Sequence, residues 1–257
     1  MKKKKLKILF LDILTDNKYL RKDIEEKVYN GSTYAEEMRK ALGLKKNQFV
    51  SKDASKGKLP NPNNYSAIVI GGSVKDPVKG QEKPWMFRVY KVIRSVQKEG
   101  IPLLGICGGL QFAVKALGGE VVYNSKGRNF GSAPTKLTKD GQKDPLFRDL
   151  PSSIVVQSSH KCIAKGLLPD WRLLARSDKS PFDGIAIGDN IRLLQFHPEM
   201  SVGIARGIAN MRKESFVGEG FVSKDNFPKL VKSLKDTTRG GKKILNNFLK
   251  YYVKLSN

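Results

Sequence analysis

The sequence predicts an α/β fold with a mostly parallel central sheet flanked by helices, and three observations carry that prediction. The strand candidates are short, unbroken apolar runs, as expected for strands buried on both faces. They alternate with helical patterns, as βαβ units do. The 257 residues, 39% of them hydrophobic, suffice for one sizeable core and are few for two independent domains. The expected layout is a single domain over residues 1–257 with a basic helical C-terminal extension at about 200–257.

The first strand is expected at residues 7–11, after an N-terminal run of lysines. That start superficially imitates a secretory signal, but Asp12 interrupts the apolar run and no small-residue cleavage site follows. Leu59-Pro-Asn-Pro-Asn-Asn64 reads as a turn-rich connector into a second strand at 66–70. Pro84 suits the first position of a helix whose stripe is Trp85, Val89, Val92, Ile93 and Val96, and Gly100 stops it. A strand at 101–106 runs into a second helix right after Cys107, with Leu110, Val114 and Leu117 facing inward and Gly118-Gly119 as terminator. The runs at 154–156, 172–175, 184–187 and 191–196 are too close together for helical crossovers, so this part of the sheet is expected to be antiparallel or mixed. Residues 200–238 are expected to form helices separated by a loop at Gly218 and Gly220. A final helix at 243–255 presents Ile244, Phe248, Tyr251, Tyr252 and Leu255 to the sheet. No apolar run approaches the roughly eighteen residues of a membrane span.

The formal charge of +24 raises the question of nucleic acid. The excess is dominated by lysine and spread along the whole chain, which fits a solvated surface better than a binding stripe. Nucleic acid is therefore not expected as a specific partner, nor is a membrane. The two cysteines, Cys107 and Cys162, make no disulfide framework and no Cys-x-x-Cys pair. A reduced, cytoplasmic setting follows, with no metal and no cofactor expected.

The most informative stretch is Gly105-Ile-Cys-Gly-Gly109, which carries a buried strand directly into a helix. Such a nucleophile elbow strains the backbone of its central residue, and small neighbours relieve the crowding. It also sets Cys107 at a helix N-terminus, where the dipole and free N–H groups favour a thiolate. About ninety residues later Leu193-Leu-Gln-Phe-His-Pro-Glu199 brings one of only two histidines to the edge of the sheet. Cys107, His197 and Glu199 then take the parts of nucleophile, general base or acid, and orienting carboxylate. A thiolate attacking an amide needs oxyanion donors in place beforehand. Gly108 N–H follows the nucleophile, and Gly71-Gly72-Ser73 ends the second strand in a turn able to face it. Cys162 lacks an elbow and reads as a packing residue, and Asp76-Pro77 reads as loop chemistry.

These motifs resemble the class I (triad) glutamine amidotransferases. Trp85, Ala116-Leu-Gly-Gly-Glu-Val121, Gly131, Asp144-Pro-Leu-Phe147, Ser159-His160 and a closing Gly-x-x-Ile-Leu-x-Asn-Phe-Leu pattern within 240–249 extend the resemblance. It covers about 60–199 well and the ends loosely. Length and layout are most like stand-alone proteins resembling the glutaminase domain of GMP synthetase, which include the plant γ-glutamyl peptidases. The resemblance implies a flavodoxin-like sheet and cleavage of a γ-glutamyl amide through a thioester at Cys107. It further implies that Gln111 touches the glutamyl group, that Gly72 and Gly108 donate to the oxyanion, and that the backbone of Ser159, His160 and Lys161 meets its α-amino and carboxylate ends. Beyond that role, His160 reads as a wall residue bonded to backbone. Leu110 stands where many relatives have histidine, and Cys162 where an aspartate is often found. Three readings follow: a glutaminase passing ammonia to a separate synthetase, since no Gly-x-x-x-x-Gly-Lys-Ser/Thr loop is present; a stand-alone hydrolase or peptidase of glutamine or another γ-glutamyl compound; and a non-catalytic basic binding or regulatory protein. The residues between Leu14 and Ser51 and between Met200 and Thr238 are expected either to cap a substrate or to dock a partner.

Overall fold

The computed structural model describes residues 5–253. In chain order its elements are β1 (Ile8–Asp12), α1 (Lys18–Lys27), α2 (Tyr34–Ala41), β2 (Phe49–Asp53), β3 (Ala67–Ile70), α3 (Pro84–Lys98), β4 (Leu103–Ile106), α4 (Gly108–Ala116), β5 (Val121–Tyr123) and β6 (Asn129–Leu137). There follow α5 (Lys139–Lys143), β7 (Ser153–His160), β8 (Cys162–Ala164), β9 (Trp171–Arg176), β10 (Gly184–Ile187), β11 (Ile191–Leu194), α6 (Val202–Met211), α7 (Lys213–Gly218), α8 (Phe227–Lys232) and α9 (Thr238–Tyr251).

The main sheet has nine strands in the order β2-β1-β3-β4-β11-β10-β9-β6-β7. From β2 to β11 every neighbour is parallel, and from β11 to β7 every neighbour is antiparallel. The change of sense follows from connection length, because only two short turns link β9, β10 and β11 and a parallel crossover needs about a dozen residues. β5 and β8 pair separately.

Unbroken apolar strands serve two cores at once. Ile8 and Phe10 of β1 and Leu104 and Ile106 of β4 join a cluster with Met38 of α2 and Ile244 and Phe248 of α9. Their neighbours Leu9, Leu11 and Leu103 face a second cluster with α3 and α4. The predicted stripe of α3 is buried throughout, with Pro84 at its first turn, and Gly118 takes a φ of 95° after α4. A smaller third cluster joins Phe130 to Met200, Ala205, Phe216, Phe227 and Leu234, so the basic segment after residue 200 has an apolar interior of its own.

Several boundaries differ from expectation. α9 begins at Thr238, not 243, because Gly240-Gly241 act as helix interior: a Cβ on Gly241 would collide with the Pro198 carbonyl. Leu255 lies outside the described residues. Regular pairing of β11 stops at Leu194, not residue 196. Beyond it the chain leaves β10 and His197 N–H donates to Gln157 O at 2.8 Å, a single antiparallel bridge to β7. The strand expected at 154–156 is the eight-residue β7. Among the described residues no helix is long and apolar enough to cross a membrane.

Candidate active site

Three parallel strands, β3, β4 and β11, end side by side, and the site sits on their carboxyl edge. Cys107 follows β4 with φ 51° and ψ −101°, the strained conformation of an elbow. Its N–H donates to Leu194 O at 2.7 Å, tying the turn to the end of β11. Close packing explains the glycines around it. A Cβ on Gly105 would come within 2.9 Å of the Gly109 carbonyl, one on Gly108 within 2.7 Å of Ser73 N, and one on Gly109 would collide with Ile70 O. Any side chain there separates α4 from β3.

The structure brings the three residues expected to act on an amide to the wall of one cavity. His197 Nδ1 lies 2.8 Å from Glu199 Oε1, so Nδ1–H donates to the carboxylate and Nε2 is left free of it, while the Cys107 thiol donates to Ser159 O at 3.7 Å. Burial alone would discharge this imidazole; Glu199 and then Cys107 outweigh it and raise its pKa to about 10. His197 therefore favours the protonated form that a neighbouring thiolate needs.

A fourth residue, which the sequence did not single out, joins them. Tyr34, the first residue of α2, is buried between Phe10 and Tyr29, with ring centroids 5.4 and 5.7 Å away. Its hydroxyl donates to Glu199 Oε1 at 3.1 Å and accepts from Gly72 N–H at 2.7 Å. Burial, then the Glu199 carboxylate, push its pKa well above the ordinary phenol value, so it remains a donor. Gly72 N–H, expected to face an oxyanion, is thus engaged by Tyr34 in this structure. Nothing in the local sequence signals this residue, because it reaches the site from a helix 38 positions upstream.

Gln111 departs from expectation. It is buried, its Nε2 donates to Cys162 O at 3.0 Å, and it does not line the cavity above Cys107. One turn into α4, its side chain is spent fastening the helix to β8. Ser159, His160 and Lys161 do line the cavity. His160 sits with Nδ1 3.1 Å from Cys162 O and Nε2 3.2 Å from Asn129 Nδ2, and burial lowers its pKa to about 4. It is a neutral wall residue. Lys161 Nζ and the Arg128 guanidinium share Glu219, which is held down to about 2 chiefly by its bonds to Arg128. Asp76, expected to be loop chemistry, also faces the cavity beside the Cys162 thiol, and burial raises its pKa. Cys162 is fully buried and its thiol is pushed up by burial and by Asp76.

The cavity measures about 290 Å³ and its lining is of two kinds. Asp76, Arg128, Lys161, Arg212 and Glu37 are charged, and Ile24, Val28 and residues of α6 form an apolar wall. Among the described residues no cluster of His, Cys, Asp and Glu is arranged to hold a metal.

Fold and site together define a class of α/β protein in which a thiol on an elbow, a histidine and a carboxylate meet at the carboxyl edge of a mostly parallel sheet. The model of the glutamine amidotransferase class-I family matches residues 28–211, and the chain belongs to that family of enzymes. It is 37% identical over 150 residues to the glutamine-hydrolyzing GMP synthase of Thermosipho africanus, covering 58% of this chain and 27% of that protein. To the corresponding enzyme of Aquifex aeolicus it is 32% identical over 155 residues, 60% of this chain and 28% of the other. The chain thus spans little more than a quarter of these relatives. Among solved structures, a glutamine amidotransferase from Thermotoga maritima superposes with a TM-score of 0.74 at 20% identity, covering 97% of this chain and 99% of that one. One from Methylobacillus flagellatus gives 0.70 at 15%, covering 98% and 97%.

Proposed function

We propose that this chain cleaves the γ-glutamyl amide of glutamine through a thioester at Cys107 and releases ammonia, which a separately encoded synthetase consumes. The observation that carries this reading is the meeting of Cys107, on an elbow at the sheet edge, with the hydrogen-bonded His197–Glu199 pair at one cavity. Cys107 Sγ attacks the amide carbon, the C–N bond breaks, and the His197 proton goes to the leaving nitrogen. Water, deprotonated by His197, then attacks the thioester to give glutamate and the free thiol. Gly108 N–H and Gly72 N–H receive the oxyanion, the latter by exchanging the Tyr34 hydroxyl for the substrate oxygen. The charged residues of the cavity lining supply Asp76 for an α-ammonium and Arg128, Lys161 or Arg212 for an α-carboxylate. A stand-alone γ-glutamyl hydrolase uses the same steps and differs in the amine released. A purely binding role leaves this arrangement without a purpose.

Glutamate release from glutamine tests the reading. Wild type is expected to turn over and to be labelled at Cys107 by a glutamine-analogue electrophile, and Cys107→Ala to do neither. Labelling of Cys162 in preference, or turnover that survives Cys107→Ala, would sink it.

A further inference from the structure

The apolar wall of the cavity offers no polar group to a glutamyl head group, and it is built by two segments of the chain acting together. α6 begins three residues after Glu199, and Met200, Ile204, Ile208 and Met211 recur at helical spacing along the side that lines the cavity. Facing them are Ile24 and Val28 at the end of α1. Gly207 lets the helices touch, since a Cβ there would lie 3.0 Å from Val28 Cα. Ile204, Ile208 and Met211 are only half-buried although they pack on the main core, because their remaining surface faces the cavity.

This wall stands on the side from which a leaving group must depart. The residue that protonates the departing nitrogen is His197, and α6 follows directly on the His-Pro-Glu segment. Ammonia needs room for a single heavy atom and gains nothing from an apolar surface. The cavity volume of about 290 Å³ lies just below the range, about 300–1,000 Å³, of pockets that hold drug-sized ligands. We propose that Met200, Ile204, Ile208 and Met211 of one segment and Ile24 and Val28 of the other form a leaving-group subsite, and that the substrate is a γ-glutamyl amide of an apolar amine, aromatic or branched aliphatic. The inference rests on Cys107 as nucleophile and develops the stand-alone γ-glutamyl hydrolase reading in place of ammonia supply to a synthetase: the C–N bond breaks as before, and the proton from His197 goes to the apolar amine, which leaves along the helical wall.

Binding to Cys107→Ala, measured by titration calorimetry, tests the subsite without depending on turnover. The γ-anilide of glutamate is expected to bind at least about tenfold more tightly than glutamine, as burial of an aromatic ring implies. Ile208→Asp, and independently the milder pair Ile204→Ala with Ile208→Ala, are expected to bring the ratio of the two affinities towards one, with folding checked by circular dichroism. Equal affinity for the two amides, or a preference that survives both sets of substitutions, overturns the subsite. If wild-type enzyme cleaves neither amide and no electrophile labels Cys107, the amidase reading fails by itself, and the binding ratio still decides whether the wall recognises an apolar group.

Discussion

At Cys107 the elbow, the helix start and His197 all act on one sulfur, whereas Cys162 is sealed from solvent beside a carboxylate. Alkylation by iodoacetamide at pH 8 is therefore expected to modify Cys107 and spare Cys162 in the folded protein, read by peptide mass spectrometry. Tyr34 acts one step further out. Its hydroxyl holds the Glu199 oxygen that orients His197, and a hydrogen bond to a charged group contributes about 1.5–3 kcal/mol. Tyr34→Phe should lower kcat at least about tenfold, with a smaller change in KM, and the loss should largely vanish in a Glu199→Gln background. An undiminished loss in that background would show that Tyr34 does not act through Glu199. Tyr34 was invisible in the sequence because an aromatic residue at a helix start gives no local sign of a bond to residues 38 and 165 positions away.

At the scale of elements, the helices and strands that pack by one continuous stripe were legible and those held by mixed contacts were not. α3 and α4 carry apolar residues at helical spacing and stood out. α1 buries only Ile24, and its remaining positions are mostly charged, so it showed no stripe. β2 is half-buried, with Ser51 exposed, at one edge of the sheet, and β6 contains Pro134 and Gly131, residues that ordinarily argue against a strand. α9 shows the same effect in reverse, since the glycine that weakens a helix in isolation is the one that lets it approach Pro198. Gly241→Ala is expected to destabilise the fold by about 1–3 kcal/mol through overpacking and to displace the segment carrying His197. Urea unfolding would show the first effect and a fall in kcat the second; an unchanged midpoint would mean that the contact relaxes freely.

For the molecule as a whole, charge and acid stability are linked to the site. His160 has its pKa lowered from 6.5 to about 4 by burial, so the unfolded chain takes up a proton between those values that the folded chain refuses, and stability falls as pH drops through that window. Glu219, held at about 2 by Arg128, contributes stability that is present above its ordinary value of 4.5 and is lost as pH falls towards 2. Thermal melts should therefore show a fall beginning near pH 6.5, which His160→Gln abolishes, and a second below 4.5, which Glu219→Gln makes smaller. The charge of +24 makes a different prediction. If it is a solvated surface, duplex DNA binds weakly and without sequence preference, and the complex dissociates by about 150 mM salt. Binding that survives that salt and is lost when Lys229, Lys232 and Lys235 become Glu would restore a nucleic-acid role.

Run length, glycine spacing and the two short motifs at 105–109 and 197–199 determined by themselves the class of fold and the residues at its centre, because elbows and buried strands impose local demands that few side chains meet. Only the tertiary structure decided what surrounds that centre. It turned Gln111 inward to Cys162, brought Tyr34 to the Glu199 carboxylate, set Asp76 and Arg212 in the lining of the cavity, and laid α1 against α6 in its wall. Those placements come from packing between segments far apart in the chain, where each residue satisfies a partner that its own neighbours do not reveal.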